Sequence, residues 1–292
     1  MIPRRAAWSS LFACLLLAAQ APAGDSIKKG TIRAEDGLSI FYEARGKGDT
    51  ALVFLHGWCG DHEYWRRQAD LFAPDYRVIA LDQAGHGASG KDRKTWTVAG
   101  LAADVEAVVK ALGLKRVILV GHSMGGPISL AAAKRLPGVV VAVIGVDTLQ
   151  NAEFKMPEDA SKKFLEGFEK DFKGMIRGGF DGLFHEKTDA DLKKWVLDRA
   201  AAQDAKMAVP LMRDLSAVDT KTLMKEAKVP IRCINSNGGF KFFTPTAVAI
   251  NKKYADYDAV AIDSVGHYPM LERPEEFNRK LREVLKEFTP KK

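Results

Sequence analysis

Cysteine is scarce: only Cys14, Cys59 and Cys233 occur in 292 residues. An exported chain could join Cys59 to Cys233, but nothing in the sequence places them within bonding distance, and two free thiols are expected. No charge-free apolar run reaches the roughly 20 residues needed to span a bilayer, so stable membrane insertion is not expected. Lys and Arg form no stripe with interleaved aromatics. They alternate with acids, as in Glu166-Gly167-Phe168-Glu169-Lys170-Asp171, which disfavours nucleic acid as a partner. No two histidines fall at metal-ligand spacing, and neither an internal repeat nor a low-complexity tract interrupts the chain.

What remains is globular: 47% hydrophobic and 28% charged residues, long enough for one large domain with an insertion. The first acidic residue is Asp25. Before it, Arg4 and Arg5 form a basic n-region, Leu11 to Ala19 an apolar h-region, and Ala21-Pro22-Ala23 a small-residue cleavage site. Residues 1–23 therefore read as a signal peptide, and the mature protein is expected to be exported, periplasmic or extracellular. Cys14 is a poor lipidation site because Leu15-Leu16-Leu17 still follow it inside the h-region. Arg4 and Arg5 supply two of the formal charges in the total of +7, leaving a mild excess.

Short apolar runs alternate with amphipathic stretches from Thr31 to Leu136, which predicts an α/β fold whose mostly parallel, twisted sheet is flanked by helices. Thr31–Ala34 and Leu38–Glu43 flank the hairpin signal Asp36-Gly37. Ala51–Leu55, Arg77–Leu81, Val117–Val120 and Val139–Val146 fit buried strands. Leu101, Val105, Val108, Val109 and Leu112 share a helix face that ends at Gly113. Residues 151–228 are charged, dotted with Phe, Leu and Met, and lack a convincing strand, so they are expected to form a helical cap. The core resumes over 229–292 with runs at Pro230–Asn235 and Tyr257–Ile262. A last helix is expected to align Phe277, Leu281, Val284, Leu285 and Phe288.

Chemistry concentrates at Gly121-His122-Ser123-Met124-Gly125. This G-x-S-x-G run follows the strand Val117–Val120 and precedes the helical stretch Ile128–Leu136. The turn strains the serine and leaves no room for side chains at its glycines, so Ser123 projects clear of the sheet as a candidate nucleophile. The N–H of Met124, at the positive end of the helix dipole, is a candidate donor to an oxyanion.

With that context the chain resembles the α/β-hydrolase fold superfamily over nearly all of residues 24–292, and three segments extend the likeness. Leu55-His56-Gly57-Trp58 is similar to the family's HG-x loop, which implies that the backbone N–H of Trp58 is the second oxyanion donor. The side chains of Trp58 and His122 are then candidates for substrate binding. Asp82-Gln83-Ala84-Gly85-His86-Gly87-Ala88-Ser89 resembles a loop common across the family. Val265-Gly266-His267-Tyr268-Pro269-Met270-Leu271-Glu272-Arg273-Pro274 resembles the segment that carries the general base, which assigns that role to His267. A serine hydroxyl needs such a base to become nucleophilic. His56 and His86 read as loop histidines bonded to backbone, and His62 and His185 as histidines without partners.

One part of the family pattern is missing. The loop after Pro230–Asn235, the commonest position of the acid, reads Ser236-Asn237-Gly238-Gly239, and no Asp or Glu occurs from Ala227 to Ala255. Some members carry the acid one strand earlier, where this chain has Asp147, so Asp147 is the expected partner of His267. Asn237 is the alternative, since an amide can orient a histidine; a helix-capping role is the bland reading of Asp147.

The implied activity is hydrolysis of a carboxylic ester, thioester or lactone through a Ser-His-Asp triad, with a small acyl compound as substrate and no cofactor. A serine at the elbow argues against branches of the fold that use an aspartate nucleophile, while amidases and C–C bond hydrolases stay open. A ligand-binding or sensor protein of the same fold is the alternative suggested by the missing acid. The sequence carries no sign of an oligomeric state.

Overall fold

The computed structural model describes residues 27–239 and 245–289; the expected signal peptide lies outside them. Among these residues eight strands form one sheet: β1 (Lys28–Arg33), β2 (Ser39–Arg45), β3 (Ala51–Leu55), β4 (Arg77–Leu81), β5 (Val117–His122), β6 (Val140–Val146), β7 (Ile231–Ser236) and β8 (Tyr257–Ile262). Their spatial order is β1-β2-β4-β3-β5-β6-β7-β8. β2 runs antiparallel to both its neighbours, and every pair from β4 to β8 is parallel. The first hairpin starts three residues before the expected Thr31, because Lys28, Lys29 and Gly30 pair with Ala44, Glu43 and Tyr42 at an exposed edge. Hydropathy carries no signal for such a strand.

The period-two geometry of a strand sends β3 into two cores at once. Ala51, Val53 and Leu55 pack on one side of the sheet, Leu52 and Phe54 on the other, and all are buried. The first side is covered by α2 (Val98–Ala111), whose start is capped by the Thr97 hydroxyl, and α3 (Gly125–Arg135). The second is covered by α1 (Arg66–Phe72) and the C-terminal α11 (Pro274–Leu285). Phe288 lies just past the end of α11 and packs against the same cluster without being part of the helix.

Between β6 and β7 come α4 (Glu158–Lys170), α5 (Phe172–Gly179), α6 (Ala190–Ala201), α7 (Ala205–Ala217) and α8 (Thr220–Ala227), with no strand among these described residues. Asp171, Asp189, Asp204 and Asp219 each accept an N–H in the first turn of the helix that follows. Such caps stabilise a helix start by about 1 kcal/mol each. The cap expected over 151–228 is shorter than that span. α8 lies along α3, joined to it by Lys134–Glu226, with Met224 and Ala227 in the main core. Amphipathic α8 needs an apolar partner, and the nearest one belongs to the sheet layer. Two short helices, α9 (Val248–Asn251) and α10 (Pro269–Glu272), flank β8.

Candidate active site

The parallel strands end together, so the loops after β3, β4, β5, β6, β7 and β8 converge at one edge of the sheet. At the end of β5, Ser123 adopts the left-handed conformation, φ 51°. Its N–H donates to Val146 O at 3.0 Å, and its carbonyl accepts from Gly126 N and from the Thr148 hydroxyl. The glycines are required by space: a Cβ on Gly121 would stand 2.2 Å from Gly125 O, and one on Gly125 2.6 Å from Leu55 O. Strand β5, helix α3 and the loop after β3 are thereby packed backbone to backbone around the serine. The N–H groups of Trp58 and Met124 have no acceptor among the described residues.

Asp147 follows β6 and is also left-handed, φ 43°, and 2% exposed. Its Oδ1 accepts from Ser236 N at 2.8 Å, while Oδ2 lies 2.6 Å from His267 Nδ1. Because a carboxylate only accepts, the imidazole proton sits on Nδ1, which leaves Nε2 as the basic nitrogen when the ring is neutral. Asn237 is elsewhere: it is exposed, and its amide donates to Asp263 Oδ1 at 2.8 Å. With a carboxylate on His267, the bare loop after β7 no longer argues for a protein without catalysis.

Three other histidines brace the loops. His56 Nδ1 donates to Gly57 O at 2.8 Å while its Nε2 accepts from Gln83 N at 3.0 Å. His86 repeats the pattern, donating to Ala84 O and accepting from Cys59 N. Full burial keeps both neutral, lowering His56 to about 4 and His86 to about 3. Together they join the loop carrying Trp58 to the loop after β4. His122 donates through Nε2 to His267 O at 2.8 Å, and burial depresses it well below the usual histidine range. Its ring lines the cavity but is held by this bond to the segment carrying His267.

Above Ser123 lies a cavity of about 370 Å³. Its floor is Gly57, Trp58, His122, Ser123, His267 and Tyr268, and its roof comes from α4, α5 and α7 through Phe164, Phe168, Met175 and Met212, with Phe180 and Leu183 beside them. Trp58 fastens floor to roof. Its indole N–H donates to Ala208 O at 2.8 Å, and its ring packs edge-on against Phe168 with centroids 5.1 Å apart. No Lys, Arg, Asp or Glu is found among the described residues that line the cavity.

His62 was expected to lack a partner and has several. Nδ1 donates to Asp82 Oδ1 at 2.7 Å, and Nε2 lies 3.5 Å from both Glu43 and Glu63. Among the described residues, Glu43, His62 and Glu63 are the group that could hold a metal ion. Glu43, however, already pairs with Lys29 and Arg45, and none of the three reaches the cavity. His185 is likewise bonded, its Nδ1 accepting from Lys187 N at 3.1 Å. Cys59 and Cys233 are buried free thiols, and burial raises both above the usual thiol range. Sequence reasoning missed Glu272, whose carboxylate accepts from the N–H groups on either side of His267. The available signal was a carboxylate five residues after a candidate base.

Comparison with known proteins agrees with this architecture. A non-heme chloroperoxidase of Streptomyces lividans is 34% identical over 144 residues, 48% of this chain and 52% of that protein. The chain thus spans about half the length of this curated relative. An esterase from Exiguobacterium antarcticum superposes with a TM-score of 0.78 at 21% identity, over 89% of this chain and 100% of that one. A bromoperoxidase from Bacillus anthracis does so with a TM-score of 0.79 at 20% identity, again over 89% and 100%. The sequence pattern of the α/β hydrolase fold matches residues 50–210, and the chain belongs to that family.

Proposed function

We propose that the protein is an exported serine hydrolase that cleaves a neutral carboxylic ester, thioester or lactone. The observation that carries this is the joint placement, at one end of an apolar cavity, of the strained Ser123 turn and the His267–Asp147 pair with its 2.6 Å contact. In this reading His267 Nε2 takes the Ser123 proton as Oγ attacks the carbonyl carbon. The free N–H groups of Trp58 and Met124 receive the oxyanion. Collapse of the tetrahedral species expels the alcohol, thiol or ring oxygen with the proton held by His267, and water then hydrolyses the acyl-serine by the same route in reverse. Asp147 fixes the tautomer throughout.

The roof sets the substrate class. A charged acyl group would leave water for a cavity whose described lining residues offer it no partner ion, which is strongly unfavourable. The 370 Å³ corresponds to about a dozen water-sized groups at ~30 Å³ each, suiting short to medium aliphatic or single-ring acyl groups. Export rests on the basic, apolar and small-residue pattern of residues 1–23.

Labelling with a fluorophosphonate probe tests the nucleophile: the wild type is expected to react and Ser123→Ala to remain unlabelled. A folded wild type that does not react would sink the reading. A panel of neutral esters graded by acyl length, followed by thioesters, lactones, amides and C–C substrates, then fixes the bond cleaved. Activity confined to anionic acyl groups would contradict the assignment of the cavity.

A further inference from the structure

We propose that Glu272 is a positioning residue that locks the backbone on both sides of His267 and makes the cap part of that lock; this rests on His267 being the base. The Glu272 carboxylate gathers four donors. Oε1 accepts from Tyr268 N at 3.0 Å. Oε2 accepts from Gly266 N at 3.1 Å, from His185 N at 3.2 Å and from the Thr188 hydroxyl, which makes a short bond. Gly266 and Tyr268 are the immediate neighbours of His267. His185 and Thr188 belong to the connection between α5 and α6, within the cap.

His267 itself completes the clasp, its N–H donating to Leu183 O at 2.7 Å in the same cap segment. The packing leaves no slack: a Cβ on Gly266 would lie 2.4 Å from Leu183 O, 2.6 Å from His185 N and 2.7 Å from Glu272 Oε1. One anion therefore satisfies backbone donors from two segments that also meet through the His267–Leu183 bond and the stacked rings of Phe184 and Tyr268. Charge-assisted bonds of this kind are shorter and stronger than neutral ones. Asp147 restrains the imidazole from the ring side, and Glu272 restrains the chain that carries it. The cap is consequently more than a cover over the acyl pocket, because opening it between Leu183 and Thr188 releases the backbone of His267.

A Gln side chain at 272 cannot substitute. Its one acceptor oxygen can take the place of Oε2 toward Gly266, His185 and Thr188, but its NH2 group is then turned against the Tyr268 N–H. Glu272→Gln and Glu272→Ala are both expected to lower kcat roughly 10- to 100-fold, as a misplacement of a catalytic group of about 1 Å does, with KM little changed. Thr188→Val removes only the cap's hydroxyl and is expected to lower kcat severalfold. Two further readouts do not depend on turnover. In the wild type, the downfield Nδ1 proton of His267 is expected as a discrete NMR resonance, and it should broaden or move in the Glu272 variants. Amides of residues 264–268 and 183–188 should exchange with deuterium at least 10-fold faster in the variants, and together. Unchanged exchange with an unchanged resonance would overturn the proposal, as would a raised KM at constant kcat, which would confine Glu272 to the pocket. Should the Glu272 variants fail to fold, Thr188→Val decides: faster exchange around His267 supports the clasp, and an effect limited to 183–188 refutes it. If wild-type Ser123 resists the fluorophosphonate probe, the hydrolase reading falls, while resonance and exchange still judge the clasp.

Discussion

Replacing Asp147 by asparagine tests the triad through a bond that Asp147 makes outside it. Ser236 N–H points at Asp147 Oδ1 from 2.8 Å, and His267 Nδ1 faces Oδ2 at 2.6 Å. In Asp147→Asn the amide has one acceptor, and the backbone N–H of Ser236, which can only donate, claims it. The NH2 group is then left against His267 Nδ1. The ring responds by placing its proton on Nε2, the nitrogen that must be bare to accept the Ser123 proton. Shape is conserved and the bond to Ser236 persists, so stability should change by no more than about 1 kcal/mol. Turnover should fall by about 10⁴, the magnitude measured for the equivalent tautomer error in a serine protease, or ~5.5 kcal/mol of barrier. Steady-state hydrolysis of a chromogenic ester, together with urea denaturation of the same sample, separates the two quantities. A folded Asp147→Asn variant within tenfold of wild-type kcat/KM would refute the assignment. So would a comparable loss in Asn237→Ala, whose amide donates to Asp263.

Acid should weaken the fold through its buried histidines. Burial holds His56 at about 4 and His86 at about 3, against an ordinary 6.5. The unfolded chain binds these protons first, so the stabilisation is complete above pH 6.5 and is lost as pH falls toward 4; at pH 5 the loss is about 2 kcal/mol per histidine. Urea midpoints at pH 7.5 and pH 5 should show this drop, and His56→Gln or His86→Gln should flatten it; a wild-type midpoint independent of pH would contradict the burial argument. Gly121→Ala forces a Cβ to 2.2 Å from Gly125 O, whereas Gly113, at φ 63°, has nothing within 4 Å of its Cβ position. Gly113→Ala should cost about 1–2 kcal/mol of backbone strain and Gly121→Ala at least 3, by overpacking at the elbow; equal midpoints would count against the elbow packing. Trp58→Phe removes the indole bond to Ala208 O, a carbonyl that also lies within helix α7, and should cost about 0.5–1.5 kcal/mol for the lost bond. Its KM for bulky acyl esters should also rise relative to acetate; an unchanged acyl-length profile would show that the Trp58 tether does not shape the pocket.

The residues that could be read from the sequence are those whose environment is set by their own segment. β3 and β5 are buried on both faces, so Ala51–Leu55 and Val117–Val120 appear as unbroken apolar runs. The Ser123 turn declares itself through glycines that local backbone crowding demands. Asp147 was reachable only through the family resemblance, because the stretch from Ala227 to Ala255 holds no acid and some members carry theirs one strand earlier. Its left-handed φ and its bond to Ser236, 89 residues away, were not. The errors share one cause. His62 lies among Asp82 and Glu43 only because β2 and β4 are neighbours in the sheet, and α8 belongs to the core only because α3 offers it a face. Glu272 is the sharpest case. Its donors come from the segment around His267 and from a cap segment more than eighty residues earlier. The local pattern could show a carboxylate near a candidate base, but only the closed cap shows that this carboxylate is what the two have in common.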